Sequence, residues 1–289
     1  MRMSTLYVLS TVLMTIIAIA SAVLAVLANS PIGKELGLFH TTNKELSDKY
    51  HIEATPADWT FSIWGFIFLL EILWIVYALS ALCRSTKQGQ VYSVAPVLPP
   101  SFTLLFCVNQ LLLIGWLFLF DREYLSYSSV DLLFIFVTGA LCLVINYRLV
   151  EEYKSYMQEN LMGDLVANRL LVQNGVAMYT TWILVATLLN SAITLTYRAM
   201  VDDALASTIM YILVILVSTL YFLLDVTIWE KYTRYTLTPY IVVIVASLGS
   251  LDFDYDPDST SSISQLIAVI LGCVFLIGKL LRTIIIAAR

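Results

Sequence analysis

The sequence has little charge. Asp, Glu, Lys and Arg together make up 13% of its 289 residues, whereas hydrophobic residues make up 60%. Soluble globular domains carry about 25% charged and about 45–50% apolar residues. A chain with so few polar groups cannot cover a water-exposed surface, which excludes a soluble enzyme, a secreted scaffold and a disordered chain. The class that remains is a polytopic membrane protein.

Residue types that bind metals or nucleic acids are equally scarce. The two histidines, His40 and His51, have no helical i, i+4 spacing, so no metal site is predicted. The four cysteines lie in or beside apolar runs and are interpreted as small buried residues. A net charge of −5 provides no basic field to attract nucleic acid. No phosphate-binding loop, nucleophile elbow or paired-cysteine motif occurs, so neither an enzyme nor a cofactor is expected.

Long apolar runs are what the chain has instead. A bilayer core about 30 Å thick takes about 20 residues of helix, and these runs are too uniformly apolar for alternating barrel strands. The predicted fold class is therefore all-α, a polytopic transmembrane helical bundle. Its eight predicted spans are residues 6–27, 59–82, 102–120, 130–149, 175–197, 204–228, 235–251 and 263–286. The segment 235–251 is only about 25 Å long as a helix, so seven spans is the alternative.

Basic residues are distributed unevenly between the loops. The side that carries the N-terminus holds about twice as many lysines and arginines as the other side, Arg84, Arg148 and Lys231 among them. Basic loops remain cytoplasmic in membrane proteins. The sequence therefore predicts that both termini are cytoplasmic and that the number of spans is even.

The start of the second predicted span concentrates aromatic residues. Trp59 precedes it at the expected membrane interface. Trp64, Phe68 and Glu71 follow at i, i+4 and i+7, which places them on one helix face. An aromatic belt with ordinary bundle packing and a ligand-binding face are both compatible with this pattern.

The fifth predicted span has a matching face. Tyr179 and Trp182 are followed by Ala186 and Asn190 within a narrow arc of the helix. A small residue permits close helix approach, and an asparagine hydrogen-bonds across helices. A face that binds a ligand and a face that packs against other helices share these features, so both interpretations stand.

The two stretches together resemble the translocator protein family, also called the tryptophan-rich sensory proteins. That family has a Pro-x-x-Trp-x-Phe-x-x-Trp pattern at the start of its second helix, matched here by Pro56, Trp59, Phe61 and Trp64. Its fifth helix has Pro-Tyr-x-x-Trp-x-x-x-Ala-x-x-Leu-Asn, matched from the second position onward by Tyr179, Trp182, Ala186, Leu189 and Asn190. In the third span, Asn109 and Trp116 resemble further family positions.

The sequence departs from the family pattern at two places. Met178 stands where the family has proline, and Ser191 and Ala192 stand where the sterol-recognition pattern has aromatics. Further apolar segments follow residue 200. Residues 1–200 are therefore predicted to form a translocator-protein-like five-helix bundle and residues 201–289 a C-terminal extension of two to three transmembrane helices. The resemblance implies a pocket for a lipophilic ligand such as a tetrapyrrole or a sterol, closed by the first loop.

Glu71, Asp225 and Lys279 are ionisable residues within the predicted spans, where each costs about 2.5–3.5 kcal/mol on insertion scales. Asp225 and Lys279 lie at similar depth, which is compatible with an ion pair or with two separately snorkelling side chains. Glu71 lies near the membrane midplane. It is expected to hydrogen-bond within the bundle, to Asn109, Gln110 or Asn146, or to take part in ligand or proton binding.

These observations predict an integral membrane protein that binds a hydrophobic small molecule for transport or sensing. The predicted ligand-binding residues, all aromatic or capable of hydrogen bonding, are Trp59, Trp64, Glu71, Asn109, Trp116, Tyr179, Trp182 and Asn190. One alternative is a proton-coupled secondary transporter that uses Glu71, Asp225 and Lys279, and another is a structural membrane assembly factor. Expected partners are membrane lipids, the lipophilic ligand and, as an open alternative, a second copy of the chain.

Overall fold

The computed structural model describes residues 3–253 and 255–287 of the chain. Its α-helices are α1 (Met3–Ala28), α2 (Pro31–Glu35), α3 (Asn43–Lys49), α4 (Ile63–Cys83), α5 (Val91–Val94), α6 (Pro100–Asp121), α7 (Leu125–Asn160), α8 (Met162–Ala167), α9 (Asn174–Ala199), α10 (Asp203–Val226), α11 (Glu230–Thr233), α12 (Thr238–Phe253) and α13 (Thr260–Ala287). A 3₁₀ segment, Asp58–Ser62, leads into α4, and a π-helical turn, Asn168–Gln173, joins α8 to α9. Two short strands, β1 (Ser85–Thr86) and β2 (Gly89–Gln90), pair in a hairpin.

Most of these helices are long and apolar. Within the described ranges, seven helical stretches are long and apolar enough to cross a membrane: Ser4–Ala28, Asp58–Cys83, Pro100–Asp121, Leu125–Asn160, Met162–Ala199, Asp203–Val226 and Thr260–Ile286. Each contains or closely matches a run that the hydropathy pattern predicted. The predicted all-α polytopic bundle is confirmed.

The short helix α12 also runs from one end of the bundle to the other. At its start, Thr238 Oγ1 donates to the Asn174 carbonyl at the beginning of α9, at 2.7 Å. Near its end, Ser250 Oγ donates to the Ala54 carbonyl in the first long loop, at 2.8 Å. Tyr197, near the end of α9, hydrogen-bonds to the same loop. The 16 residues of α12, about 24 Å of helix, therefore lie alongside most of α9.

The segment between the fourth and fifth predicted spans divides in two. In the structure α7 continues to Asn160, whereas α8 and the π-helical turn lead directly into α9. The Arg84 guanidinium fixes this region through two hydrogen bonds to the Asp164 carboxylate, at 2.5 and 2.9 Å.

Side chains from both predicted domains share one core. Trp182 and Ile183 of α9 belong to the same buried cluster as Met210 of α10 and Val243 of α12. The last helix joins this cluster through Ala268. The boundary at residue 200 stays a prediction, and the helices on its two sides pack against each other directly.

Gly249 allows α12 to approach the 3₁₀ segment closely. A Cβ atom at this position would lie 1.9 Å from Thr60 Oγ1 and 2.8 Å from Thr60 Cγ2. Overpacking of this kind costs about 1–3 kcal/mol, so we expect Gly249→Ala to lower the melting temperature of the purified protein in detergent. Gly65→Ala is the matched control, because no atom lies within 4 Å of its added Cβ.

Adding Thr60→Ala to Gly249→Ala removes the two closest of these atoms. We expect the double variant to recover part of the lost melting temperature. Equal melting temperatures for Gly249→Ala and Gly65→Ala would contradict this close docking of α12.

Candidate functional site

The first long loop, residues 29–57, forms a cap over one end of the bundle. The buried Asp121 carboxylate at the end of α6 accepts hydrogen bonds from the backbone N–H groups of His40, at 2.9 Å, and Thr41, at 3.0 Å. Lys49 Nζ donates to Glu123 at 2.7 Å, and the Tyr50 hydroxyl donates to the same carboxylate at 2.5 Å. These two hydrogen bonds hold the pKa of the Glu123 carboxyl below its ordinary value.

The C-terminal helices also hold the cap. The Glu53 backbone N–H donates to Asp203 Oδ1 at 3.1 Å, and Gln265 Nε2 donates to the Glu53 carbonyl at 3.0 Å. The carbonyl of the next residue, Ala54, accepts from Ser250. Side chains of α10, α12 and α13 thus satisfy the backbone of the cap, which would otherwise carry unpaired polar groups.

Beneath the cap lies a cavity of about 90 Å³, which we name the aromatic cavity. The aromatic residues that line it are Phe61, Trp64, Trp116, Phe120, Trp182 and Tyr211. The Trp182 ring meets the Trp64 ring edge to face, with 6.4 Å between the centroids and an angle of 83°. It meets the Phe61 ring at a similar distance and angle. These edge-to-face contacts fix the rings that form the cavity wall.

Four of the eight predicted ligand-binding residues line this cavity, namely Trp64, Trp116, Trp182 and Asn190. Asn190 Oδ1 accepts hydrogen bonds from Ser128 Oγ at 3.0 Å and Ser129 Oγ at 2.7 Å, so its side chain is held by α7. The buried Trp116 Nε1 has no hydrogen-bond partner in the described part of the chain. An indole N–H without a partner is available to a polar atom of a ligand.

Two other predicted residues hydrogen-bond to each other in the bundle wall. The Tyr179 hydroxyl donates to Asn109 Oδ1 at 2.8 Å. Asn109 Nδ2 donates in turn to the Ile135 carbonyl at 2.7 Å and to Thr138 Oγ1 at 2.8 Å. This network connects α6, α7 and α9, and neither member lines the aromatic cavity.

Trp59 lies outside the aromatic cavity. Its side chain is 47% exposed, and its indole N–H donates to Asp252 Oδ2 at 2.9 Å. Asp252 is near the C-terminal end of α12. The contact joins the beginning of the second span to a helix of the predicted C-terminal extension.

Glu71 is buried within α4, with a relative exposure of 9%. Its Oε1 has no hydrogen-bond partner among the residues that the structure describes. Two of its three expected partners hydrogen-bond to other groups. Asn109 bonds to α7 and Tyr179, and Asn146 Nδ2 donates to the Val97 carbonyl at 2.9 Å. Gln110 Nε2 is itself without a partner. Glu71 does not line the aromatic cavity.

Asp225 and Lys279 form an ion pair, one of the two arrangements that the sequence left open. Lys279 Nζ lies 2.7 Å from Asp225 Oδ1, and the two side chains are 1% and 0% exposed. The hydroxyl groups of Thr233 and Tyr240 also donate to the Asp225 carboxylate. Separate snorkelling of the two side chains is therefore wrong. Among the described residues, no hydrogen bond joins Glu71 to this cluster.

A second, larger cavity lies between α7, α9, α10 and α12. Its volume is about 550 Å³, and we name it the large cavity. Thr233 and Tyr240, which bond to Asp225, belong to its wall. Leucine, valine and alanine side chains from all four helices form nearly half of the wall, and aromatic side chains form about a quarter of it. No sequence motif marks these residues, and the sequence pattern gave no indication of this cavity.

The comparisons with known proteins give one match. A family model described as TSPO-like protein matches residues 7–277, nearly the whole chain. The matched range includes α10, α12 and most of α13 in addition to the first helices. No curated protein and no solved structure matches the sequence.

Proposed function

Because the chain belongs to the TSPO-like protein family, we propose that it is a multi-pass membrane protein whose aromatic cavity binds a hydrophobic small molecule, for transport or sensing. The convergence of Trp64, Trp116 and Trp182 on one cavity carries this proposal. The three side chains come from α4, α6 and α9, and the cap covers them. Rigid aromatic walls with a few polar groups are typical of sites for apolar ligands.

Two polar groups are available to orient such a ligand. Trp116 Nε1 offers a hydrogen-bond donor that the described residues leave unpaired. Asn190 lies in the same wall and is held by Ser128 and Ser129. A ligand with an apolar body and one polar edge suits this arrangement, and tetrapyrroles and sterols both have that form.

The volume of the aromatic cavity bears on how the ligand reaches it. The cavity measures about 90 Å³, whereas sites for drug-sized ligands are about 300–1,000 Å³. A tetrapyrrole or sterol therefore requires an outward movement of the cap or of Phe61. We propose that binding is coupled to opening of the cap.

The orientation in the membrane follows from the same proposal. The beginning of α1 and the end of α13 lie at the end of the bundle opposite the cap. The Tyr7 ring contacts the Tyr92 ring at 4.9 Å between centroids, and Thr283 Oγ1 donates to the Arg234 carbonyl. Basic residues favour a cytoplasmic location for that end. The cap and the aromatic cavity would then face the non-cytoplasmic side.

The arrangement of ionisable residues favours binding over proton-coupled transport. Lys279 compensates the charge of Asp225 inside a hydrogen-bonded cluster. Glu71 lies apart from that cluster, in α4. A carrier of the kind considered from the sequence needs the three groups in one water-filled pathway. We therefore propose a binding protein rather than a proton-coupled carrier.

The proposed function predicts a loss of affinity in Trp182→Leu. This change removes the ring that contacts both Trp64 and Phe61, so we expect the Kd for a porphyrin or a sterol to rise by about tenfold or more, equivalent to about 1.4 kcal/mol. Porphyrin binding to the full chain in nanodiscs is measured by the shift of the porphyrin absorption band, and sterol binding with a radiolabelled sterol.

Trp59→Leu is the matched control, because this tryptophan is exposed and lies outside the aromatic cavity. We expect its Kd to equal that of the unchanged protein. Equal affinities for all three proteins, or no binding of either lipophile, would contradict the proposed site.

A further inference from the structure

We propose that the large cavity is a binding site for an anionic phospholipid. One acyl chain of the lipid lies in the cavity, and its phosphate contacts Arg148. This site is a different cavity from the aromatic cavity, with Val185 in the wall of both, and it does not depend on the function proposed above. It is formed jointly by helices on both sides of residue 200.

The position of the cavity gives lipid direct access. Val144 of α7 and Val217 of α10 line the cavity, yet they are 43% and 39% exposed. Both helices have candidate membrane-spanning sequences. The cavity therefore opens sideways between α7 and α10, toward the acyl chains of a surrounding bilayer.

The wall presents an apolar surface although it contains several hydroxyl groups. Thr181 Oγ1 donates to the Ala177 carbonyl at 2.8 Å, and Ser218 Oγ donates to the Val214 carbonyl at 2.7 Å. These two hydroxyls are thus satisfied by their own helices, whereas the buried Thr180 Oγ1 has no hydrogen-bond partner among the described residues. The volume of about 550 Å³ lies within the range of about 300–1,000 Å³ that is typical of ligand sites. A flexible hydrocarbon chain suits such a space better than a ligand rich in polar groups.

Several polar groups of the cavity wall at the end opposite the cap are also satisfied. The Tyr147 hydroxyl donates to Thr236 Oγ1 at 3.0 Å, and Thr233 and Tyr240 donate to Asp225. These contacts leave little hydrogen-bonding capacity for a ligand.

The charged group among the described lining residues is the guanidinium of Arg148. Arg148 lines the cavity beside Trp229 and Tyr232, and its side chain is exposed. Within the described ranges it forms no ion pair with an acidic side chain. A guanidinium group binds phosphate oxygens through paired N–H donors. A tryptophan and a tyrosine beside it are typical of the level of lipid headgroups.

The geometry therefore separates head from chain. The cation marks the level at which the charged head lies, and the apolar wall below it holds the chain. A zwitterionic phospholipid with the same chains would gain the apolar contacts but would carry a compensating positive charge. We expect the site to prefer phosphatidylglycerol over phosphatidylcholine.

The first test removes the charge. The full chain is purified in detergent and titrated with phosphatidylglycerol or phosphatidylcholine of identical acyl chains, and bound lipid is counted by native mass spectrometry. We expect Arg148→Gln to weaken phosphatidylglycerol binding by about tenfold and phosphatidylcholine binding by much less, so that the preference between the two lipids is lost. Lys87→Gln, an exposed basic residue at the same end of the bundle, is the control and should keep the preference.

The second test fills the opening. Val217→Trp places a large ring at the sideways opening, and we expect it to reduce the binding of both lipids. Leu220→Trp is its matched control, because Leu220 lies on the same helix, is 58% exposed and does not line the cavity. We expect Leu220→Trp to bind both lipids as the unchanged protein does.

Each part of the proposal has an outcome that would overturn it. An unchanged preference in Arg148→Gln would overturn the role of Arg148, and unchanged binding in Val217→Trp would overturn the cavity as the site. Competition by inorganic phosphate alone would indicate an anion site without a lipid chain and would also overturn the proposal. Trp182→Leu should bind both lipids normally, so this result is independent of the outcome for the aromatic cavity.

Discussion

Lys279→Met is expected to lower the free energy of unfolding by about 3–5 kcal/mol, because it leaves an uncompensated charge in the bundle interior. Lys279 Nζ lies 2.7 Å from Asp225 Oδ1, and neither side chain has appreciable exposure. The hydrogen bonds from Thr233 and Tyr240 hold the carboxylate in place but do not neutralise it. Reversible unfolding in mixed micelles of increasing denaturing detergent measures the change.

The double variant Asp225→Asn with Lys279→Met distinguishes the loss of the ion pair from the cost of leaving one charge unpaired. Replacing both partners of a buried ion pair is often neutral, whereas removing one is costly. The asparagine keeps an oxygen for Thr233 and Tyr240, so we expect the double variant to regain most of the lost stability. Lys44→Met removes one partner of an exposed pair and should change stability far less. Equal losses in the single and double variants would contradict this account.

The helices of the bundle were predictable because hydropathy acts locally. Apolar runs of membrane-spanning length need no knowledge of their neighbours to be recognised, and each of the predicted runs contains or overlaps a helix of the structure. The ends were less predictable, because polar residues beyond the membrane continue a helix when packing supports it. The extension of α7 to Asn160 is the clearest example.

The depth of Asp225 and Lys279 made an ion pair one of two alternatives, the other being separate snorkelling of the two side chains. Asp225 and Lys279 lie at similar distances from the same end of their spans, and a bilayer leaves buried opposite charges few other partners. The environment of Glu71 was not predictable in this way. Whether a midplane carboxyl meets Asn109 or Gln110 depends on helix rotation, which hydropathy does not specify.

The aromatic cavity was partly predictable. Trp64, Trp182 and Asn190 lie on the helix faces that the periodicity indicated, and these faces meet in the structure. Trp59 belongs to the same sequence pattern, but its indole turns to Asp252. That contact depends on α12, which the family motifs in the first five spans do not describe.

The large cavity was not predictable, because a void is a property of packing between helices. Its walls are built from aliphatic residues such as Leu184 and Val243, which are indistinguishable in sequence from residues that pack tightly. Arg148 reads in sequence as an ordinary cytoplasmic basic residue. Its position at the large cavity depends on how α7 packs relative to α10 and α11, which the sequence does not specify.

Asp121→Ala is expected to loosen the cap. The carboxylate is 4% exposed and accepts hydrogen bonds from the backbone N–H groups of His40 and Thr41 and from Thr41 Oγ1. Its removal leaves these donors without a partner, at a cost of about 2–3 kcal/mol. The population of the open form of the cap should rise, because a smaller free-energy difference then separates the open form from the closed one. Hydrogen–deuterium exchange of the amides in residues 38–57 measures the effect, and we expect it to be faster by about tenfold or more.

The same change should alter ligand kinetics, because the aromatic cavity is too small for a tetrapyrrole or a sterol unless the cap moves. We expect both association and dissociation to be faster in Asp121→Ala, with a smaller change in Kd, since opening adds no contact to the bound state. Asp48→Ala removes an exposed carboxylate of the same cap, whose contact with Lys44 is a surface pair at 3.4 Å, and should leave exchange and kinetics unchanged. Faster exchange without faster ligand kinetics in Asp121→Ala would show that the ligand reaches the aromatic cavity by another route, between the helices rather than through the cap.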